Sequence, residues 1–207
     1  MRILALPGFA DSTLYWAPSL ADDLSLAYDA VEWPGIWNFP SKESLNPVAS
    51  MLETAIRQSG GETIVVGHSI GAKLACHVAS ASPAKALILL TPVLGTPSLL
   101  SPGKVLEWKR TDSRQTLRPN PQTGVVEELE VPYSIAEGLL QLPPQPMIAS
   151  PILAILAQNE EERNDETVSL LGSTAKRITL PINHNWWAKE SDNLLVVNTV
   201  RGFLESL

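Results

Sequence analysis

Short apolar runs alternate along the chain with stretches whose apolar residues recur at helical spacing. Residues 3–6 form the first run, closed by Pro7-Gly8. Trp16, Leu20 and Leu24 then recur every four residues as a helical stripe, and residues 28–33 predict a weaker strand. Pro47 suits a first helical turn and Gly60-Gly61 a stop. Between them Val48, Met51, Leu52, Ala55 and Ile56 mark one apolar face. The run at 63–66 has the β-branched composition of a strand buried on both sides, 70–81 predicts a helix, and 86–90 another buried strand. Beyond Pro151 the spacing predicts a strand at 152–157, a short helix at 165–171 capped by Asp165, and a strand at 176–180. A final helix capped by Ser191 completes the pattern. Such alternation predicts an α/β fold, a mostly parallel sheet of about six strands flanked by helices.

The middle of the chain breaks this rhythm. Residues 91–151 hold ten of the 17 prolines and show no helix–strand alternation. Residues 115–119 and 125–131 predict a hairpin around Asn120-Pro121-Gln122-Thr123-Gly124, and 134–142 one short helix. This segment is too small for a core of its own, so it reads as a lid inserted into a single domain spanning residues 1–207.

Composition removes several function classes. Fifteen basic against 22 acidic residues give a net charge of −7, which argues against generalised nucleic-acid binding. A single cysteine, Cys76, excludes an intrachain disulfide and, with three histidines, a Cys/His zinc cluster. No apolar run reaches the length of a membrane span. Met1-Arg2 leads straight into the first strand without a signal-peptide core, so a cytoplasmic location is the expectation.

Chemistry enters at Gly67-His68-Ser69-Ile70-Gly71. A serine between a strand end and a helix start takes a strained backbone that projects its hydroxyl, and flanking glycines remove side chains that would collide in so tight a turn. The helix that follows aims its first amides at the place where negative charge would develop. A serine nucleophile needs a base. His68 lies inside the turn, where its side chain is expected to point away from the reacting face, and His77 lies mid-helix. His184, just past the last predicted strand in Pro181-Ile182-Asn183-His184-Asn185-Trp186-Trp187, reaches the same carboxyl edge of a parallel sheet and is the expected base. The acid that orients it is expected from the loop after residues 152–157, where Glu160, Glu161 and Asp165 all remain candidates.

Together these residues resemble the α/β-hydrolase superfamily over nearly the whole chain. The order Ser69, Glu160, His184 matches the family's nucleophile, acid and base. Residues 151–160 resemble its proline, apolar strand and acid, a register that puts the acid at Glu160. Pro7-Gly8-Phe9-Ala10-Asp11-Ser12 followed by Trp16 resembles its oxyanion loop, with Pro7 where histidine is usual. That resemblance implies an oxyanion hole from the backbone amides of Phe9 and Ile70, no metal or organic cofactor, and acyl transfer on an ester or thioester. It also implies that the family's first two strands are missing, as in compact serine hydrolases of the retinoblastoma-binding-protein-9 group; pimeloyl-carrier-protein methyl ester esterases are a looser likeness.

Substrate expectations follow from aromatic and basic residues. Trp16, Trp37, Tyr133 and Trp187 are candidates for an apolar pocket suited to small or medium acyl or alkyl groups. Lys104, Lys109, Arg110, Arg114 and Arg118 concentrate five of 15 basic residues in the lid. Arg110, Arg114 and Arg118 are therefore candidate contacts for an acidic acyl carrier protein.

Overall fold

In a computed structural model the chain forms eight strands and seven helices among the described residues, which are 1–9, 11–30, 45–95, 101–119, 125–142, 147–171, 173 and 175–207. Six strands build one sheet: β1 (Arg2–Leu6), β2 (Ala27–Ala30), β3 (Thr63–His68), β4 (Ala86–Leu90), β7 (Ile152–Ala157) and β8 (Ala175–Leu180). Their order is β2-β1-β3-β4-β7-β8, and every pairing is parallel. The chain moves outward from β1 to β2, then returns to the other side of β1 for β3. The loops after β1 and β3 therefore lie side by side at the point where strand order reverses, where open α/β sheets place their sites.

Strand alternation divides the core in two. Leu4, Val65, Leu87, Leu89, Ala154 and Leu156 face one side, covered by α2 (Leu45–Gln58) and α3 (Gly71–Ala81). Ile3, Ala5, Ile64, Val66, Ile88, Leu90, Leu153 and Ile155 face the other, under α1 (Ala17–Leu24) and α7 (Glu190–Leu204). Among the described side chains of α2, Leu52 and Ile56 are buried, whereas Met51 is 55% exposed and Ala55 is also exposed. Met51 and Ala55, which the sequence puts on the apolar face, thus lie outside the core, and the side chain of Val48 falls outside the described ones. The final helix begins at Glu190, one residue ahead of the expected cap Ser191.

The middle segment carries more order than expected. It contains α4 (Pro102–Thr111), the antiparallel pair β5 (Ser113–Pro119) and β6 (Val126–Pro132), and α5 (Tyr133–Gln141). The hairpin and α5 match the sequence reading, and α4 is additional. Trp108, Val131, Ile135 and Leu139 are fully or almost fully buried and join the core cluster on the α3 side. The Trp108 indole N–H donates to the Val131 carbonyl at 2.9 Å, fastening α4 to the hairpin. Among the described residues no helix is long and apolar enough to cross a membrane.

Candidate active site

The β3–α3 turn forces Ser69 into the left-handed region at φ +52°, a backbone that residues with a β-carbon rarely adopt. Neighbouring backbone holds it there. The Ser69 amide donates to Leu90, and the Val93 amide donates to the Ser69 carbonyl, both at 3.0 Å. A β-carbon on Gly67 would lie 2.7 Å from the Ala72 α-carbon, and one on Gly71 would strike the carbonyl oxygens of Leu6 and Pro7. Both glycines are therefore needed to bring α3 tight against the ends of β1 and β3.

His184 reaches this serine from the loop after β8. Its Nε2 lies 2.9 Å from Ser69 Oγ, and its Nδ1 lies 3.1 Å from both carboxylate oxygens of Glu160. The structure thus brings Ser69, His184 and Glu160 into one hydrogen-bonded line. Glu160 stands directly before α6 (Glu161–Leu171), and its carboxylate is largely shielded from solvent. Asp165 lies inside α6 rather than capping it, because the helix starts four residues earlier than the pattern predicts. Glu161 occupies the first position of α6 and is exposed.

Above Ser69 lies a cavity of about 410 Å³, lined by Gly8, Phe9, Asp11, Tyr15, His68, Ser69, His184, Asn185, Trp187 and Ala188. Thr116, Leu117 and Arg118 of β5 close its far side. Phe9 packs edge-on against Trp108 at 6.0 Å, tying the β1 loop to α4. Ile70 follows Ser69 at the amino end of α3 and is 2% exposed.

The structure separates the sequence's pocket candidates. Of the four aromatic candidates, Trp187 lines the cavity, while Trp16 is fully buried beneath it, packed 6.2 Å from Trp186 and 6.3 Å from His68. Trp16 sits at the start of α1, whose inner face turns it into the core. Tyr133 opens α5 and packs partly buried on the lid side, with Lys109 Nζ 5.9 Å from its ring centre. Trp37 lies outside the described residues. Arg118 lines the cavity paired with Glu127, Arg114 lies over the Trp108 ring at 6.0 Å, and Arg110 is exposed on α4.

The largest departure is His68. Its ring turns toward the site instead of away from it, 5.0 Å from the His184 ring and 2% exposed. Two features admit it. Gly8 offers only hydrogen where a β-carbon would lie 3.0 Å from His68 Nδ1, and Asp11 Oδ2 waits 2.9 Å from that nitrogen. Asp11, Tyr15 and Leu117 were not singled out as site residues by the sequence. The signal for Asp11 was its place in the oxyanion-loop segment.

With this geometry established, comparisons place the chain. The model of the alpha/beta hydrolase family matches residues 3–187. The chain belongs to that family. Solved structures of the same fold include a monoacylglycerol lipase from Paleococcus ferrophilus, with a TM-score of 0.74 at 14% identity, covering 99% of this chain and 94% of that one. A monoglyceride lipase from Saccharomyces cerevisiae superposes with a TM-score of 0.67 at 12% identity, covering 99% and 86%. A pyrethroid hydrolase from Sphingobium faniae gives 0.64 at 16% identity, covering 99% and 97%. No curated protein sequence matches the chain.

Proposed function

We propose that this member of the alpha/beta hydrolase family is a serine hydrolase that cleaves carboxylic esters of small to medium, mostly apolar acyl or alkyl groups. The observation that carries the reading is the line from Glu160 through His184 to Ser69 at 3.1 and 2.9 Å, opening on the cavity. In this reading Glu160 accepts from His184 Nδ1–H and fixes the tautomer that leaves Nε2 to accept the Ser69 proton. Ser69 Oγ attacks the ester carbonyl, and its proton passes to His184. The oxyanion that forms faces the Phe9 and Ile70 amides, where a donor of this kind contributes about 10²–10³ in kcat. His184 then gives the proton to the departing alcohol. Water enters with the same histidine as base, and the acid leaves.

Cavity size and lining support the substrate class. About 410 Å³ lined in part by Phe9, Tyr15, Leu117 and Trp187 suits a compact apolar group. A nitrophenyl ester series tests this: turnover is expected to peak at short to medium acyl chains and to vanish in Ser69→Ala. A folded wild type that turns over no ester contradicts the reading, and would point to a binding protein that retains the fold.

A second reading, hydrolysis of acyl groups presented by an acidic carrier protein, draws on the lid. There Lys104 and Arg114 line a separate recess of about 330 Å³. Charge reversal at Arg110 and Arg114 would leave carrier-bound turnover unchanged if that reading is wrong.

A further inference from the structure

His68 is buried beside the proposed base without belonging to the line that reaches Ser69. Its Nδ1 lies 2.9 Å from Asp11 Oδ2, and its Nε2 lies 3.1 Å from the backbone carbonyl of His184. A carbonyl only accepts, so Nε2 carries hydrogen and donates to it. The Asp11 contact at Nδ1 holds the other edge of the ring, so the imidazole is fixed from both sides. Asp11 is itself fixed, because its Oδ1 accepts the Ser12 amide at 2.7 Å. Both His68 nitrogens are thereby occupied, and neither is offered to Ser69.

The His184 carbonyl receives a second donor. Thr91 Oγ1, 2% exposed at the end of β4, donates to it at 3.2 Å. Thr91 has φ +41°, and its amide donates to Ile155 at 2.8 Å, so its own position is set by the sheet. One residue earlier in the loop, the Asn183 amide donates to the buried carboxylate of Asp192 at 3.2 Å. Trp187 stands edge-on to the His68 ring at 4.7 Å and restricts its tilt. The backbone that carries His184 is thus pinned at the residue that must meet Ser69 Oγ.

We infer that His68, held by Asp11, is a positioning residue for His184, with Thr91 as its partner on the same carbonyl. The inference rests on the serine-hydrolase reading above. It also gives the histidine of the Gly67-His68-Ser69 segment a task other than proton transfer. Displacing a reacting group by about 1 Å can lower turnover by about 100-fold. Loss of the carbonyl anchor should therefore appear in kcat rather than in substrate affinity.

The test uses the full chain with the nitrophenyl ester that wild type turns over best. His68→Phe keeps a planar ring and removes the donor; His68→Gln restores a donor at similar reach. Thr91→Val and Thr91→Ser form a second, independent pair. The expected result is a fall in kcat of about 10- to 100-fold for His68→Phe with KM little changed, and substantial recovery in His68→Gln. Thr91→Val should fall several-fold in kcat and Thr91→Ser should recover. Equal losses in His68→Phe and His68→Gln, or losses confined to KM and Tm, overturn the inference. If His68→Phe does not fold, the Thr91 pair decides, and wild-type kcat in Thr91→Val overturns it. Wild-type enzyme that hydrolyses no ester removes the hydrolase reading and this inference together; active wild type with unaffected variants removes this inference alone.

Discussion

Ser69 holds a left-handed backbone that its own side chain disfavours, and the hydrogen bonds from Val93 and to Leu90 keep it there. At the same scale the proposed acid can be tested against its neighbour. Glu160→Gln should lower kcat by about 10³–10⁴-fold, because the tautomer and charge behind His184 are lost. Glu161→Gln should leave kcat near wild type, since Glu161 opens α6 toward solvent. Steady-state kinetics on the two variants decides between them. Cys76 makes a separate prediction. Burial pushes its thiol from 9.0 up to about 12, so the nucleophilic thiolate is scarce in the folded protein. Iodoacetamide at pH 8 should leave native enzyme unmodified and alkylate it rapidly in denaturant. The sign of the linkage follows. Above pH 9 the unfolded thiol ionises while the folded one stays protonated until about 12, so Cys76 lowers stability as pH rises through that window.

Elements show which parts of the fold were legible in the sequence. Strands β1, β3, β4 and β7 were readable because each is a short, buried, apolar run, and hydrophobic burial dominates such segments. Helix α4 was not, because Pro102 at its start and its charged surface leave Trp108 as the buried anchor and no apolar period to detect. The early start of α6 was hidden by its acidic first residues, which suit a helix amino end as well as a solvated loop. His68 departs from its expected direction because its place in the turn says nothing of the room left by Gly8 or the carboxylate of Asp11. By contrast, spacing alone put Ser69 and His184 at one sheet edge, while the choice of Glu160 among the loop carboxylates came from the family resemblance. The tight β3–α3 turn also predicts energetics. Gly71→Ala should destabilise by about 1–3 kcal/mol through collision with the Leu6 and Pro7 carbonyls. Gly103→Ala, in open space on α4, should stabilise slightly. Urea midpoints compare the two.

At the scale of the whole molecule, the reversal of strand order beside β1 and the lid above it divide the labour. The carboxyl edge of the sheet carries Ser69, Glu160 and His184, and Thr116, Leu117 and Arg118 of β5 line the same cavity. On the proposed ester-hydrolase reading, Leu117, 63% exposed and lining the cavity, is the position where acyl length would be read. Leu117→Trp should lower kcat/KM for hexanoate relative to acetate by about tenfold, measured in parallel assays.

The central claim is that Ser69 is a nucleophile activated through His184 and Glu160. Its most direct test is a fluorophosphonate probe on folded protein, followed by peptide mass spectrometry. The account predicts one adduct per chain on the peptide bearing Ser69, none in Ser69→Ala, and slow labelling in Glu160→Gln. Folded wild type that takes no label, or takes it at another residue while Ser69 stays unmodified, would contradict it.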